Sequence, residues 1–151
     1  MEIVDFRPDL ANAFRTLNEA WITTMFTLEP KDHLVLGDPQ GQIIDQGGFV
    51  FFVLEDGAPV GCCALMALPD GGFEVAKMAV ADGHKGGGRG RALMAACVEK
   101  ARSLGAPRLY LETNSKLAPA LGLYRAFGFS EIAPAKPSPY ARADVIMELR
   151  L

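Results

Sequence analysis

Six consecutive positions near the middle of the chain combine glycine with cationic side chains, the composition of a loop that binds a phosphate group. The segment reads Lys85-Gly-Gly-Gly-Arg-Gly90 and is followed by Arg91. A backbone that wraps an anion must bring its N–H groups close together and accept positive φ values, which glycine does at little steric cost. A β-rich run precedes the loop and a helical pattern follows it, so a helix N-terminus would add partial positive charge. The sequence predicts an anion-binding loop here.

The distribution of charge supports a local anionic ligand. The 151 residues carry a net charge of −3, which argues against general nucleic-acid binding. Residues 1–81 hold twelve acidic and four basic side chains, whereas residues 82–108 hold six basic and two acidic ones. A basic segment inside an acidic chain favours one bound anion over a polyanion lying across the surface.

Two common phosphate-binding motifs do not fit the glycine loop. No Gly-Lys-Ser/Thr follows it, which excludes a P-loop of the nucleotide triphosphatases. In the only register that approaches GxGxxG, the third glycine position is taken by Arg91. An unrelated phosphate-binding α/β domain remains an alternative at this point.

Hydrophobic periodicity predicts one domain, residues 1–151, in which strands and helices alternate. A mixed β-sheet flanked by helices is therefore the expected fold class, α/β in the broad sense. The predicted strands are residues 2–6, 49–55, 60–68, 73–80, 108–113, 129–132 and 144–149. The predicted helices are residues 9–28, short turns within 31–46, a helix from the glycine loop to Gly105, and residues 117–127.

Several classes of protein are unlike this sequence. The longest apolar runs, 49–54 and 62–68, are far shorter than the roughly 18 residues of a membrane span. The acidic first residues are unlike a secretory signal. The three cysteines, Cys62, Cys63 and Cys97, are too few for a disulfide framework, and no metal-ligand spacing occurs. We expect a cytoplasmic protein without metal, membrane or nucleic-acid partner, and leave a homodimer open.

Two spaced motifs resemble the GCN5-related N-acetyltransferase (GNAT) family. The family's acetyl-CoA loop reads Gln/Arg-x-x-Gly-x-Gly/Ala, and Lys85–Gly90 is similar to it. The preceding strand Glu74–Val80 and the later segment 111–129, with Ala-x-x-x-Tyr-x-x-x-Gly-Phe, match in the expected order. Lys85 replaces the usual Gln or Arg, and Leu117 stands where many members have an asparagine that contacts the pantetheine arm. The resemblance implies the GNAT-like acyl-CoA N-acyltransferase fold.

The resemblance also implies how acetyl-CoA would bind. Its pantetheine arm and thioester would meet backbone groups of the strand before the loop, and its pyrophosphate would lie against the loop. The side chains of Arg89 and Arg91 either contact the phosphates or point into water. The cofactor-binding residues implied are Met78, Ala79, Val80, Lys85, Gly86, Gly87, Gly88, Arg89, Gly90 and Arg91.

Three side chains are candidates for the proton transfers of an acetyltransferase. Tyr124 matches the family's tyrosine that protonates the departing sulfur, although it could also be a packed core aromatic. Glu74 is one candidate general base, Glu112 is another, and a water chain without a single base is the third alternative. Alternation along the strand predicts that Glu74 and Met78 lie on one face.

The sequence says least about the site that would bind the acceptor amine. The resemblance implies that it forms from the first helical region and the loop between the last two strands. The candidate residues in these segments are Trp21, Phe26, Glu29, Asp32, His33, Tyr140, Arg142 and Asp144. Trp21 is expected in the core, His33 in a solvated turn, and Arg142 could hold a substrate carboxylate. We predict an acetyl-CoA-dependent N-acetyltransferase acting on an amine of a small molecule or peptide. The alternative is a catalytically silent acyl-CoA-binding sensor.

Overall fold

In the computed structural model, which describes residues 1–134 and 137–151, a seven-stranded mixed sheet has helices on both faces. Its strand order is β1-β2-β3-β4-β5-β7-β6. The strands are β1 (Glu2–Asp5), β2 (Phe49–Glu55), β3 (Ala58–Ala67), β4 (Phe73–Val80), β5 (Arg108–Thr113), β6 (Ser130–Glu131) and β7 (Val145–Arg150). The helices are α1 (Ala11–Met25), α2 (Pro30–Gly37), α3 (Arg89–Ser103) and α4 (Ala118–Ala126), with a 3₁₀ turn at Pro8–Leu10 and a π-helical turn at Gln40–Ile44. The predicted mixed sheet is confirmed.

Strands β2, β3 and β4 form an antiparallel meander because short turns join them, and β1 pairs antiparallel with β2 after the helical segment between them. Strand β5 is parallel to β4, since helix α3 carries the chain back across the sheet. The Gly105 that ends the α3 segment has φ +71°, a left-handed conformation that closes helices at little cost to glycine.

Two apolar clusters cover the two faces of the sheet. Helix α3 packs over one face with Leu93, Met94 and Cys97 completely buried, and Leu121 of α4 joins this cluster. Helices α1 and α2 cover the other face, where Phe14 is completely buried. The sheet is thereby fixed from both sides, and its middle strands carry the candidate site.

A β-bulge in β4 changes which side chains share a face. Cys62 of β3 lies opposite Ala79 and Ala64 lies opposite Ala76, so one residue of β3 faces two residues of β4. Lys77 takes up the extra residue with φ +56°, a left-handed conformation that is uncommon for a non-glycine residue. Its side chain turns to the face that α1 and α2 cover.

The bulge makes the predicted alternation along β4 wrong. Glu74 lies opposite Met66, whose side chain packs with the α1 and α2 cluster. Met78, beyond the bulge, packs with the α3 cluster on the other face. Glu74 and Met78 therefore lie on opposite faces of the sheet.

Candidate functional site

A cleft of about 930 Å³ opens where β4 and β5 separate. Their parallel pairing joins Phe73 to Leu109 and Glu74 to Tyr110, and the described register goes no further. Beyond this point the two strands diverge, and the cleft between them reaches the glycine loop at one end and helix α1 at the other. Most of the candidate residues predicted from the sequence line this one cleft, including Glu74, Met78, Glu112 and Tyr124.

The glycine loop forms the end of the cleft at the N-terminus of α3. Gly86 has φ +80° and Gly88, the N-cap residue of α3, has φ +83°. A Cβ atom built on either residue would meet nothing within 4 Å. The open space beside these glycines, together with the N-terminus of a 15-residue helix, provides room and partial positive charge for an anion.

The cations of the loop differ in what they contact. Arg89 donates from Nε to Glu55 at 2.9 Å and from Nη1 to the carbonyl of His84 at 2.9 Å. This pairing ties the start of α3 to β2 and to the loop itself. Lys85 pairs with Asp82 at the surface, and the exposed Arg91 has its guanidinium 5.5 Å from the Phe127 ring centroid. Lys85 and Arg91 thus remain accessible to solvent.

Strand β4 presents backbone groups to the cleft past the bulge. The N–H of Ala81 donates to the carbonyl of Val60 across the β3 pairing at 2.8 Å. Because backbone groups alternate along a strand, the N–H groups of Met78 and Val80 point to the opposite edge, where the cleft lies. A bound thioester or amide chain could pair with this edge as an additional strand would.

Tyr124 of α4 places its phenol on the cleft wall. Its ring packs against Phe129 at a centroid distance of 6.1 Å. No other described residue hydrogen-bonds its hydroxyl. Since every fully buried polar side-chain atom of the described residues has a partner, this hydroxyl keeps some exposure to solvent. Burial raises the pKa of Tyr124, and the neighbouring thiols of Cys63 and Cys97 act in the same direction, so the phenol keeps its proton at neutral pH.

The two candidate bases lie on the same face of the sheet, in different surroundings. Glu112 accepts a hydrogen bond from the Tyr110 hydroxyl at 2.7 Å on one oxygen and a short one from the Ser138 hydroxyl on the other. Both oxygens of Glu112 are thus occupied by neutral donors. Glu74 lies beside Tyr110 in the β4–β5 register and lines the cleft.

An ion cluster lies at the wall of the cleft that contains Lys77, Tyr140 and Arg142. Its centre is Asp32 of α2, which is 0% exposed. Its carboxylate accepts hydrogen bonds from both terminal nitrogens of Arg142, each at 2.7 Å. It also accepts hydrogen bonds from the Lys77 ammonium at 2.7 Å and from the backbone N–H of Glu29 at 2.8 Å. Burial alone would raise the pKa of Asp32, but these hydrogen bonds outweigh it and hold the pKa well below its usual range.

Tyr140 completes the cluster from the loop before β7. Its hydroxyl accepts a hydrogen bond from the Lys77 ammonium at 3.0 Å. The Lys77 nitrogen lies 4.3 Å from the ring centroid and the Arg142 guanidinium 4.5 Å from it. The ring is thereby fixed between two cations, since both are themselves bound to Asp32.

The sequence places Asp32, Tyr140 and Arg142 in segments expected to form the acceptor site, but it predicts neither their pairing nor the presence of Lys77 among them. Lys77 stands inside an apolar strand, where a buried ammonium needs a charged partner. The segment Glu29-Pro-Lys-Asp32 is also a helix start, in which the Glu29 and Asp32 side chains cap each other's backbone N–H groups.

The remaining acceptor-site expectations are met only in part. Arg142, which could have held a substrate carboxylate, has its guanidinium occupied by Asp32. Trp21 is half-buried, packs with the α1 and α2 cluster and also lines the cleft. His33 is exposed on α2, as expected for a solvated residue.

Among the described residues, no three or more histidine, cysteine, aspartate or glutamate side chains come together as a metal ion would require. None of the helices in the described chain has the length and apolar character of a membrane span.

Comparison with known proteins agrees with this geometry. The family model described as the acetyltransferase (GNAT) family matches residues 9–129. A streptothricin acetyltransferase of Streptomyces lavendulae is 47% identical over 51 residues. That match covers 34% of this chain and 27% of the relative, so it spans about a quarter of the relative's length.

Solved structures share the fold over nearly the whole chain. A GNAT-family acetyltransferase of Staphylococcus aureus Mu50 has a TM-score of 0.88 and 17% identity, and the match covers 99% of this chain and 98% of the other. A structure from Salmonella typhimurium that contains its cofactor acetyl-CoA has a TM-score of 0.75 and 20% identity. It covers 99% of this chain and 93% of that one. The predicted family and fold are confirmed.

Proposed function

The chain belongs to the GNAT acetyltransferase family, and from this we propose that it transfers the acetyl group of acetyl-CoA to an amine of a small molecule or peptide. The observation that carries the proposal is the Tyr124 phenol, which has no hydrogen-bond partner among the described residues and faces a cleft that begins at an open glycine loop. A proton donor at this position is what a departing thiolate requires.

The residues of the cleft fit acetyl-CoA by shape and charge. The space beside Gly86 and Gly88 would receive the pyrophosphate, with backbone N–H groups at the start of α3 as donors. Lys85 and Arg91 are the accessible cations there, while Arg89 would hold the loop in shape through Glu55. Acetyl-CoA, once bound, supplies an activated acetyl group as a thioester.

The chain's own groups account for each remaining need of the reaction. The backbone N–H of Met78 donates to the thioester oxygen as negative charge develops there. Glu74 removes a proton from the attacking amine, directly or through water, as the N–C bond forms. Tyr124 gives its proton to the sulfur as the C–S bond breaks. Glu112 is the alternative base, and its two oxygens accept hydrogen bonds from two hydroxyl donors.

The three free cysteines fit a reducing compartment such as the cytoplasm, where we place the reaction.

The proposal is tested by incubating the protein with acetyl-CoA and a panel of amines while measuring released CoA thiol and acetylated product. We expect one thiol per acetylated amine for at least one class of acceptor. Calorimetric titration with acetyl-CoA is run in parallel. Tight binding with no amine-dependent release across the panel would contradict catalysis and favour an acyl-CoA sensor.

A further inference from the structure

We infer that the acceptor site favours cationic amines that carry no carboxylate near the reacting nitrogen, and that Asp32 is the residue that sets this preference. The inference rests on the proposed function and narrows its substrate class.

The cations at the acceptor end of the cleft are already neutralised. Arg142 donates hydrogen bonds from both terminal nitrogens to Asp32 and also forms an ion pair with Glu29 at 3.3 Å. Lys77 donates to Asp32 and to the Tyr140 hydroxyl. The buried Asp32 carboxylate and the partly exposed Glu29 carboxylate balance these two cations, so a substrate carboxylate would find neither Arg142 nor Lys77 unpaired.

Tyr140 also covers these cations sterically. Its ring lies within 4.5 Å of both the Lys77 nitrogen and the Arg142 guanidinium carbon. The side chain of Lys77 is only 5% exposed and that of Arg142 13%. A carboxylate entering the cleft would lose its hydration without gaining a bidentate partner, which weakens its binding.

Glu112 contributes a negative charge to the cleft wall. Its carboxylate lines the cleft, and its two hydrogen-bond partners, the hydroxyls of Tyr110 and Ser138, are neutral donors. Hydrogen bonds from neutral donors stabilise the carboxylate but leave its charge in place. Glu112 therefore attracts an ammonium group and repels a carboxylate.

The test compares acceptors that differ only in the carboxylate. Purified protein and acetyl-CoA are given γ-aminobutyrate or its primary amide, in which the carboxyl group is too far from the amine to change its basicity greatly. Cadaverine against lysine makes a second pair with a terminal amine. We expect kcat/KM to be about tenfold or more higher for the carboxylate-free member of each pair. Equal or higher values for the carboxylates would overturn the inference.

A variant assigns the preference to its residue. Asp32→Asn removes the negative charge that pairs with Arg142 and Lys77. The kcat/KM for each carboxylate-bearing acceptor should therefore rise about tenfold relative to that for its carboxylate-free counterpart. Asp9→Asn is the matched control, because Asp9 is an exposed acid paired with Arg7 on the surface. An unchanged ratio in folded Asp32→Asn protein, checked by its acetyl-CoA affinity, would remove Asp32 as the determinant.

The outcomes separate the two proposals. If no amine of any kind yields thiol, the proposed function fails. If amines are acetylated without regard to their carboxylates, only the substrate preference fails. The wild-type comparison decides the preference even if Asp32→Asn does not fold.

Discussion

The Asp32 carboxylate accepts two hydrogen bonds of 2.7 Å from the guanidinium of Arg142, which lies 110 residues further along the chain. The pair joins helix α2 to the loop before β7 and so fixes the wall of the cleft opposite the glycine loop. Lys77, held at the β4 bulge, binds the same carboxylate from the sheet. Three separate parts of the chain thus meet at one buried charge.

The Asp32 cluster should make stability depend on pH in the acid range. Because the pKa of Asp32 is lowered on folding from its ordinary 3.8, its contribution is present above that value and is lost as the pH falls below it. Asp32→Asn should cost about 3 kcal/mol or more of unfolding free energy at neutral pH. Urea unfolding from neutral to strongly acidic pH measures the difference from wild type.

That difference should narrow as the pH falls below the ordinary aspartate pKa, because Asp32 is then protonated in the unfolded chain but still charged in the folded protein, and this favours unfolding of the wild type. Asp9→Asn, at an exposed surface pair, should change little at any pH. A pH-independent cost of Asp32→Asn would contradict a role of the Asp32 charge.

The glycine loop can be tested with two glycines that share a backbone conformation. Gly88 has φ +83° and Gly105 has φ +71°, and a Cβ on either would meet nothing within 4 Å. Gly88→Glu and Gly105→Glu therefore carry similar backbone strain at opposite ends of the α3 segment. Only Gly88→Glu places a carboxylate where the pyrophosphate is proposed to bind.

We expect calorimetry to show acetyl-CoA affinity falling by about a hundredfold or more in Gly88→Glu, because like charges repel at a desolvated site. Gly105→Glu should keep the wild-type affinity. Equal affinities in the two variants would remove the loop from the cofactor site.

Glu74 and Glu112 are distinguished by the pH dependence of turnover. Glu74→Gln should reduce kcat by about 10²- to 10⁴-fold at neutral pH and by less at high pH, where the amine loses its proton unaided. Glu112→Gln should reduce it less, since hydroxyl donors already occupy both oxygens of Glu112. Turnover of both variants is measured across the same pH range. A loss in Glu74→Gln that does not vary with pH would count against its role as base.

The sequence predicts the strands of this fold better than it predicts the site. Strand β4 begins and ends where alternation and the flanking turns predict, at Phe73 and Val80. The bulge at Lys77 was not predicted, because one extra residue in a strand leaves composition and flanking turns unchanged. It reversed the face expected for Met78 relative to Glu74.

The glycine loop could be predicted from the sequence, whereas the ion cluster around Asp32 could not. The loop is contiguous, and each of its glycines reports a local backbone requirement. The acceptor wall depends on Asp32 meeting Arg142, a contact that no local pattern specifies. Lys77 in an apolar strand indicates that a buried partner exists without identifying it.

Tyr124→Phe tests most directly whether the cleft performs acetyl transfer. The substitution removes only the phenol hydroxyl, whose proton the raised pKa of Tyr124 keeps in place at neutral pH. We predict that amine-dependent turnover falls tenfold or more, about 1.4 kcal/mol of barrier per tenfold. Acetyl-CoA affinity and melting temperature should stay close to wild type, because no described residue hydrogen-bonds this hydroxyl. Normal turnover of Tyr124→Phe on a good acceptor would contradict the role of Tyr124 as the proton donor.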